Sequence, residues 1–469
     1  MGVTLFDKIW DAHVVGQRAD GRDLVYIDRH VLHELHAPHA FKKLKAAGRR
    51  VRRPDLTFSA LDHTPSAQPG RTETTNPEGK AFIDAMREGS RENGVRVFDL
   101  GDDEHGISHV VAPEIGMVLP GATHAVPDSH ACTVGGLGAL AFGVGTTELE
   151  HILATQVIAI LKPKRMRIHL EGRLGPHASA KDVALKILSQ IGVSGGRGYA
   201  IEFAGPAVRD LSIEGRLTLC NLTIEMGSRS GFVAPDQKTF DWIKGRKWAP
   251  QGAMWETALA FWRTLKSDDD ALFDKEIVVD CEGLAPQITW GTDPGQVVGV
   301  TGHAPDPAQL PADQRGAVER ALHYMGLKPG EKIEGLKVDR VFIGSCTNAR
   351  LPDLREAADI VRGRHVADGV TALVVAGSRK VKREAEAMGL DAVFRDAGFI
   401  WGESACSMCA CTNGENGAIG ERILSTTNRN FENRQGRGVR THLVGPALAA
   451  AAAISGRIVD LSKLESVTP

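Results

Sequence analysis

The chain has 469 residues, of which 42% are hydrophobic and 24% are charged, as is typical of a soluble globular protein of several domains. Its 56 lysines and arginines nearly balance its 58 aspartates and glutamates, which argues against a general affinity for nucleic acid or a membrane surface. The N-terminus carries charged residues (Asp7, Lys8, Asp11) where a signal peptide is apolar. The longest apolar stretch, 446–454, is too short to span a bilayer. A cytoplasmic protein is therefore expected.

Short runs rich in valine and isoleucine alternate with helical patterns, which predicts an α/β fold with largely parallel sheets. A helix is predicted over 180–192, because Ser179 is a good N-cap and Gly192 a good exit residue. Two further helices are predicted at 351–362 and 379–389. The predicted strands are 95–99, 122–126, 166–171, 200–204, 276–280, 340–344 and 370–376.

Two polar segments directly follow predicted strands. One contains Cys346, and the other is Asp128, Ser129 and His130. In open parallel sheets the carboxyl ends of the strands form the ligand-binding crevice. Both segments are therefore expected to contribute to a functional site.

Three of the seven cysteines form a pattern typical of metal binding. Cys406 and Cys409 form a C-x-x-C motif that follows Cys346 by 60 residues. Two thiolates at this spacing reach one metal, and soft sulfur favours zinc or an iron–sulfur cluster. The spacing alone does not separate the two, and a structural zinc completed by Cys411 or simply buried, inert thiols remain alternatives. A thioredoxin-like redox pair fits poorly, because the motif does not open a βαβ unit.

Several histidines occur beside carboxylates. A histidine oriented by a carboxylate is the usual general acid–base unit near neutral pH, although each one alone is more often a surface or core residue. The candidate groups are Asp62 with His63, Glu104 with His105 and His109, Asp128 with Ser129 and His130, and Asn221 with Glu225.

The glycine-rich segment 135–145 lacks the G-x-G-x-x-G pattern of a dinucleotide-binding loop. We interpret it as close packing behind the loop 128–130. Four histidines elsewhere recur every third residue, a spacing that turns by about 60° per step on a helix and does not form one ligand face. No metal site is expected on them. They are His30, His33, His36 and His39.

Longer segments together resemble the aconitase superfamily, and within it the large subunits of bacterial isopropylmalate isomerases. The likeness extends over nearly the whole chain. The segments are LFDKIWDAHVV (5–15), DSHACTVGGLGALAFGVGTTELEHILATQ (128–156), EGRLTLCNLTIEMGSRSGFVAPD (214–236), TWGTDPGQ (289–296), FIGSCTNAR (342–350), CSMC (406–409) and STTNRNFENRQGRGVRTHLVGPALAAAAA (425–453).

The resemblance implies three aconitase-like domains of largely parallel sheets around a central iron–sulfur cleft, at 1–183, 184–290 and 291–469. The proline-rich segment 304–315 is the clearest linker-like stretch. One 4Fe–4S cluster per subunit is implied, with its fourth iron free of protein ligands to act as a Lewis acid on the substrate. The implied cluster ligands are Cys346, Cys406 and Cys409.

Roles for other residues follow by matching motif positions. His63, oriented by Asp62, resembles the acid that protonates the leaving hydroxyl group. Asn348 and Asn428 lie near the implied cluster. The implied catalytic residues are Asp62 with His63, His109 with Asp128, and His130 with Glu225. The implied substrate-binding residues are Ser129, Asn221, Arg429 and Arg434.

The implied reaction interconverts 2-isopropylmalate and 3-isopropylmalate, in leucine biosynthesis, through dehydration and rehydration. Single-chain relatives carry a further swivelling domain with a serine base, so a separate small subunit is expected here as a partner. Neither nucleic acid nor a membrane is expected as a partner. Rival hypotheses are a paralogous hydratase for citraconate, maleate, dimethylmalate or homoaconitate, a nucleic-acid-binding state without the cluster, and a structural zinc protein.

Three positions depart from the family pattern. His39 stands where a substrate-contacting glutamine is usual, and Asn433 stands where glycine is usual. Both departures bear on which small carboxylic acid is the substrate. Cys411 stands where another residue type is usual, just past the C-x-x-C motif, and we expect its thiol to point away from the cluster.

Overall fold

The computed structural model describes residues 2–465, in which strands and helices alternate along the chain. The first strands are β1 (Val14–Gln17), β2 (Asp23–Tyr26), β3 (Arg29–His33), β4 (Thr57–Ala60), β5 (Arg96–Phe98), β6 (Thr123–Val126), β7 (Leu140–Gly143), β8 (Val157–Ile160), β9 (Lys164–Glu171) and β10 (Tyr199–Ala204). The remaining strands are β11 (Ser230–Val233), β12 (Lys275–Asp280), β13 (Gln287–Thr289), β14 (Val297–Gly299), β15 (Arg340–Ile343), β16 (Thr371–Val374), β17 (Ile400–Trp401), β18 (Arg422–Ser425) and β19 (Arg440–Leu443).

The helices connect and cover these strands. The first eight are α1 (Leu5–His13), α2 (Ala37–Ala46), α3 (Pro77–Asn93), α4 (Ser108–Glu114), α5 (Thr146–Thr155), α6 (Ala180–Ile191), α7 (Pro206–Asp210) and α8 (Ile213–Asn221). The others are α9 (Gln237–Ile243), α10 (Ala253–Trp262), α11 (Ala312–Met325), α12 (Leu351–Val361), α13 (Arg379–Ala387), α14 (Leu390–Asp396), α15 (Pro446–Ser455) and α16 (Ser462–Glu465). Short 3-10 helices occur at Pro54–Leu56, Ser129–Leu137, Ile224–Met226, Pro307–Gln309 and Ser407–Cys409.

All seven predicted strands and all three predicted helices are present, with bounds that differ by one or two residues at most ends. Helix α6 shows why local signals suffice in some places. The Ser179 side chain accepts the backbone N–H of Lys181, and Gly192 ends the helix at φ +69°, where glycine avoids the strain of a side chain. The linker-like segment 304–315 contains a 3-10 helix and the first turn of α11.

Three sheets are entirely parallel, which confirms the predicted α/β class. Sheet A has the strand order β5-β4-β3-β6-β7, sheet B the order β11-β10-β9-β12, and sheet C the order β17-β16-β15-β18-β19. In each sheet the chain adds strands to one side and then returns to the other side of the first strand. Such a reversal of strand order leaves a crevice at the carboxyl ends of two adjacent strands. The smaller sheets, β1-β2-β8 and β13-β14, are antiparallel.

The chain packs into two compact units that exchange segments along the sequence. Unit 1 comprises the chain up to Thr64, Pro77–Gly172 and Ser194–Cys281, and it contains sheets A and B. Unit 2 comprises Pro65–Asn76, Arg173–Val193 and the chain from Glu282 onward, with sheet C. The division into three domains, with its cleft, remains a prediction. Strand β9, which lies before the predicted boundary at 183, pairs with β10 and β12 beyond it.

Each unit has its own hydrophobic core. The alanine-rich helix α15 is buried along most of its length in unit 2, because small side chains allow close approach to β15 and α12. It has ten residues, and no helix among residues 2–465 has the length and apolar character that crossing a membrane requires.

Candidate active site

Sheet A brings the first group of candidate residues together at its carboxyl edge. Its order of strands reverses between β3 and β6, and β4 lies on the other side of β3. Asp62 and His63 follow β4, and Asp128 follows β6. The expected crevice at the ends of parallel strands is therefore where these side chains meet.

His63 lies between two carboxylates in unit 1. Its Nδ1 is 2.6 Å from Oδ1 of Asp62, and its Nε2 is 3.2 Å from Oδ2 of Asp128. Asp62 is fully buried, and its other oxygen accepts the backbone N–H of Ser108 at 2.8 Å. The imidazole is thus held in one orientation from both sides.

The electrostatics of this group favour a protonated His63 at neutral pH. Burial alone lowers the pKa of an imidazole, but the charge of Asp62 and the hydrogen bond to Asp128 outweigh it and raise the pKa of His63 well above 6.5. Burial likewise opposes ionisation of Asp128, but the charge of His109 outweighs it and holds the pKa of that carboxyl well below 3.8. His63 is therefore a protonated imidazole between two ionised carboxylates, those of Asp62 and Asp128.

The two other expected pairs are also present. His109 Nε2 lies 3.1 Å from Oδ1 of Asp128, and His130 Nε2 lies 2.9 Å from Oε1 of Glu225. Asp128 Oδ1 also accepts the backbone N–H of His130 at 2.7 Å, so it caps the 3-10 helix that carries this histidine. One network of unit 1 therefore joins His63, His109, Asp128, His130 and Glu225.

The two polar residues expected to line this site lie beside the network. Ser129 Oγ is 3.2 Å from Nδ1 of His130. Asn221, fully buried at the end of α8, donates to Oγ1 of Thr133, which donates to the carbonyl of His130. Asn221 is thus linked through Thr133 to the backbone carbonyl of His130.

The glycine-rich segment packs closely behind this loop, as the sequence predicts. A Cβ on Gly143 would lie 2.8 Å from the carbonyl oxygen of Asp128. A Cβ on Gly135 would lie 1.8 Å from the carbonyl oxygen of Gly231. Both distances are far inside van der Waals contact, so only glycine lets these backbones approach. Gly145, by contrast, has no neighbour within 4 Å of such a Cβ.

Two residues of this site, His33 and Glu34, were not predicted. The fully buried carboxylate of Glu34 accepts the backbone N–H groups of Asp62 at 3.3 Å, His63 at 2.8 Å and Thr64 at 2.6 Å. The hydroxyl of Thr64 donates to the same carboxylate at 3.1 Å. Glu34 therefore fixes the backbone that carries the acid–base pair.

His33 supports the same pair from the end of β3. Its ring lies 4.3 Å from that of His63, centroid to centroid, and its Nε2 donates to the carbonyl of Pro127 at 2.7 Å. Burial lowers the pKa of His33 to about 4, so the ring is neutral. Four side chains each offer one potential metal-ligand atom, and these atoms lie within 4.8 Å of one another, as in a metal site. The residues are His33, Glu34, Asp62 and His63. The oxygens of Glu34 are already bound to backbone donors, however, which favours a structural network.

Sheet C carries the second group of candidate residues in unit 2. Its order of strands reverses between β15 and β18. Cys346 follows β15, and Asn428 and Arg429 follow β18. Thr426 joins the two loops, because its Oγ1 accepts the backbone N–H of Gly344 at 2.9 Å and donates to the carbonyl of the same residue. This crevice has the same topology as the one in sheet A.

The thiols of Cys346 and Cys409 share two polar neighbours in this second crevice. Asn428 Nδ2 lies 3.4 Å from Sγ of Cys346, and its Oδ1 lies 3.8 Å from Sγ of Cys409. Ser345 Oγ lies 3.9 Å from the first sulfur and 3.4 Å from the second. Cys406 is the N-cap of the 3-10 helix Ser407–Cys409. All three cysteines are buried, which suits a group bound by soft thiolate ligands.

A fully buried lysine supports the loop after β18. Lys181, on α6, donates from Nζ to the backbone carbonyls of Thr426, at 3.2 Å, and Thr427. These carbonyls immediately precede Asn428 and Arg429. Lys181 was not predicted, since its partners are backbone atoms 245 and 246 residues away.

Backbone strain is concentrated around the cysteines. Ser345, Ser407 and Cys411 all have positive φ values, between +50° and +78°, although none is glycine. Residues held in this region cost free energy and tend to occur at functional sites. Cys411 Sγ lies 3.7 Å from the carbonyl oxygen of Met408, and burial, together with the charge of Cys409, raises the pKa of its thiol to about 12.

Unit 2 contains three further residues that the sequence singles out: Arg434, Asn433 and Asn348. Nε of Arg434 is buried and has no hydrogen-bond partner among the described residues, so it is available to a carboxylate. Asn433 has φ +66°, and its Oδ1 accepts the backbone N–H of Gly438. Asparagine tolerates this conformation, so its presence where glycine is usual needs no change in the loop. Asn348 donates to Asp353 at the start of α12.

Comparison with known proteins identifies the family of this chain. The sequence pattern of the aconitase family (aconitate hydratase) matches residues 7–456, and the chain belongs to this family. The 3-isopropylmalate dehydratase large subunit 1 of Bradyrhizobium diazoefficiens is 52% identical over 466 residues, which cover 99% of this chain and 97% of that protein. The resemblance drawn from the sequence segments is thereby confirmed. The holo-form of aconitase X from Thermococcus kodakaraensis aligns with a TM-score of 0.47 at 13% identity, covering 99% of this chain and 96% of that one.

Proposed function

We propose that the chain is the large subunit of a hydro-lyase that interconverts 2-isopropylmalate and 3-isopropylmalate through dehydration and rehydration. The substrate is assigned from the 3-isopropylmalate dehydratase large subunit 1 of Bradyrhizobium diazoefficiens, which is 52% identical over 99% of this chain. The observation that carries the chemistry is His63, a buried imidazole held protonated between Asp62 and Asp128. An acid of this kind is what the loss of hydroxide from a small hydroxy acid requires.

Cys346, Cys406 and Cys409 would hold one 4Fe–4S cluster. Three buried thiols fit such a group in number, softness and burial, and two of them, those of Cys346 and Cys409, lie beside Ser345 and Asn428. When bound, the cluster supplies Lewis acidity toward the hydroxyl and carboxylate of the substrate.

His63 then acts as the proton donor through Nε2. Nδ1 is tied closely to Asp62 at 2.6 Å, whereas Nε2 has the longer contact of 3.2 Å, to Asp128. The proton on Nε2 is therefore the one that leaves, and Asp62 stabilises the cation until it does. His109 and His130 hold Asp128 in place from its other side.

Arginine side chains would bind the substrate carboxylates. Arg434 offers a buried Nε with no partner among the described residues, and Arg429 lies in the loop that also carries Asn428. Ser129 and Asn221 would contact the substrate beside His130. A separate small subunit would supply the remaining groups, including the base that removes the C–H proton.

The test is an assay of the purified large subunit, loaded with iron and sulfide, with and without its small subunit. We expect alkene formation from isopropylmalate only when both subunits are present, and iron and sulfide in equal amounts. If citraconate is hydrated and isopropylmalate gives no alkene, the substrate assignment is wrong. One zinc per chain without sulfide would show a structural zinc site instead.

A paralogous hydratase for citraconate, maleate, dimethylmalate or homoaconitate is the alternative function. The observation that favours it is His39, an exposed residue of α2 at a position where the family pattern has a substrate-contacting glutamine. Replacement His39→Gln separates the two functions. It raises the rate on isopropylmalate if His39 serves another substrate, and it leaves that rate unchanged or lower if His39 is adapted to isopropylmalate.

A further inference from the structure

The C-x-x-C turn of unit 2 is connected to a distant segment of the same unit through one carboxylate. Glu415 Oε2 accepts a hydrogen bond of 2.5 Å from Oγ of Ser407, the residue after Cys406. Its Oε1 accepts from Oγ of Ser66 at 2.8 Å and from the backbone N–H of Ala67 at 2.6 Å. Ser66 and Ala67 lie 349 and 348 residues away in sequence.

The turn needs support of this kind because its backbone is strained. Ser407 has φ +50°, a conformation that glycine adopts easily and serine does not. Such a conformation persists only when the surroundings hold it in place. Two contacts do so here: Ser407 with Glu415, and the carbonyl of Met408 with Nε2 of the buried Gln435, at 2.9 Å.

The segment that contains Ser66 and Ala67 is itself firmly attached to unit 2. Ala67 packs with Met408 in a small apolar cluster, and its carbonyl accepts the backbone N–H of Glu403 at 2.8 Å. Nδ2 of Asn413 donates to the carbonyl of Pro65. Glu415 therefore joins two elements that both have further anchors, which makes its geometry well defined.

We propose that Glu415 is a positioning residue that holds the C-x-x-C turn in the conformation that binds the cluster, and holds segment 65–67 against it. This inference rests on the proposed function, since it assumes that Cys406 and Cys409 are cluster ligands. Glu415 does not contact the substrate; it acts through Ser407 on the two cysteines. Its loss lets the strained turn relax and release its ligands.

The experiment compares the full-length chain with Glu415→Ala, Glu415→Gln, Ser407→Ala and the double variant Ser407→Ala/Glu415→Ala. Each is loaded with iron and sulfide without oxygen, and the rate of cluster loss in air is followed by visible absorbance and by iron release to a chelator. We expect Glu415→Ala to lose the cluster about tenfold faster, as the loss of a charged hydrogen bond would allow. The exposed Glu319→Gln variant is the control.

The other variants separate positioning from a general loss of stability. Glutamine accepts from Ser66 and Ala67 through its oxygen and donates to Ser407, so Glu415→Gln should stay within about threefold of the wild-type rate. Ser407→Ala should accelerate loss, and the double variant should match Glu415→Ala, because Glu415→Ala already removes the hydrogen bond that Ser407→Ala breaks. Trypsin should cleave after Arg71 faster in Glu415→Ala and at the wild-type rate in Ser407→Ala.

Two outcomes overturn the inference. One is a Glu415→Ala variant that loses its cluster no faster than the wild type. The other is a double variant whose acceleration of cluster loss equals the product of the accelerations in the two single variants. If Glu415→Ala does not fold, Ser407→Ala decides, since it removes one hydroxyl group. A wild-type chain that takes up no iron and sulfide contradicts the proposed function instead, before any variant is compared.

Discussion

The carboxylate of Glu34 accepts the backbone N–H of His63 at 2.8 Å, although the two residues are 29 positions apart. The same carboxylate accepts the N–H groups of Asp62 and Thr64. Replacement Glu34→Gln places an amide N–H₂ where an oxygen now accepts, and leaves a buried donor unpaired. We expect the free energy of unfolding to fall by about 1–3 kcal/mol. Denaturant unfolding measures this, with the exposed Glu88→Gln as control; equal stability of the two variants would contradict it.

Asp62 controls the proton of His63, so its replacement should change the pH dependence of the reaction. The negative charge of Asp62 raises the pKa of His63, and Asp62→Asn removes that charge. The pKa of His63 then falls, and His63 loses its proton at a lower pH. We expect the alkaline limb of the pH profile of kcat to move down by about one unit or more. The exposed Asp269→Asn variant should leave the limb in place. An unmoved limb in Asp62→Asn would show that His63 is not the acid.

Cys409 and Cys411 should differ sharply in their effect on iron content. Cys409 shares Ser345 and Asn428 as neighbours with Cys346, whereas Cys411 Sγ contacts the carbonyl of Met408. We expect Cys409→Ser to lose most of its iron and sulfide, and Cys411→Ser to keep the wild-type amounts. Chemical analysis of both elements after anaerobic purification checks this. Loss of the cluster in Cys411→Ser would make that thiol a ligand.

Two glycines only two positions apart offer a matched test of packing behind the loop 128–130. A Cβ on Gly143 would lie 2.8 Å from the carbonyl of Asp128, and one on Gly145 would have no neighbour within 4 Å. Gly143→Ala should therefore displace Asp128 and cost about 1–3 kcal/mol of stability. Gly145→Ala should change neither stability nor kcat. Thermal unfolding and steady-state kinetics of both variants measure the difference.

Signals that are local in sequence allowed much of the fold to be predicted. Helix α6 is bounded by Ser179 and Gly192, and strands such as β9 and β12 are continuous apolar or alternating runs. The cysteines and the pair Asp62–His63 were identified because their chemistry is visible in their residue types. The ends of predicted strands placed Cys346 and Asp128 in the crevices of sheets C and A, whereas Asp62 and His63 follow β4, a strand that the sequence did not predict.

The residues that the sequence did not predict depend on tertiary contacts, which produce no local signal in the sequence. Strand β3 contains His30 and His33, whose three-residue spacing gives no common face on a helix, and only the fold shows that both are buried. Glu34 and Lys181 bind largely to backbone atoms, which have no signature in the sequence of the partner segment. Glu415 binds one backbone N–H and two serine hydroxyls, and one of these serines lies 349 residues away. Only the tertiary structure shows which charged side chains are placed inside the protein to support distant segments.

The exchange of segments between the two units has a consequence for how the protein is made. Unit 1 is complete only after Cys281 has left the ribosome, and Pro65–Asn76 and Arg173–Val193 emerge before most of unit 2 exists. These early segments must wait for partners that are synthesised hundreds of residues later, at rates of about 5–20 residues per second. Their apolar residues stay exposed meanwhile. The nascent chain is therefore expected to depend on chaperones until synthesis is nearly finished.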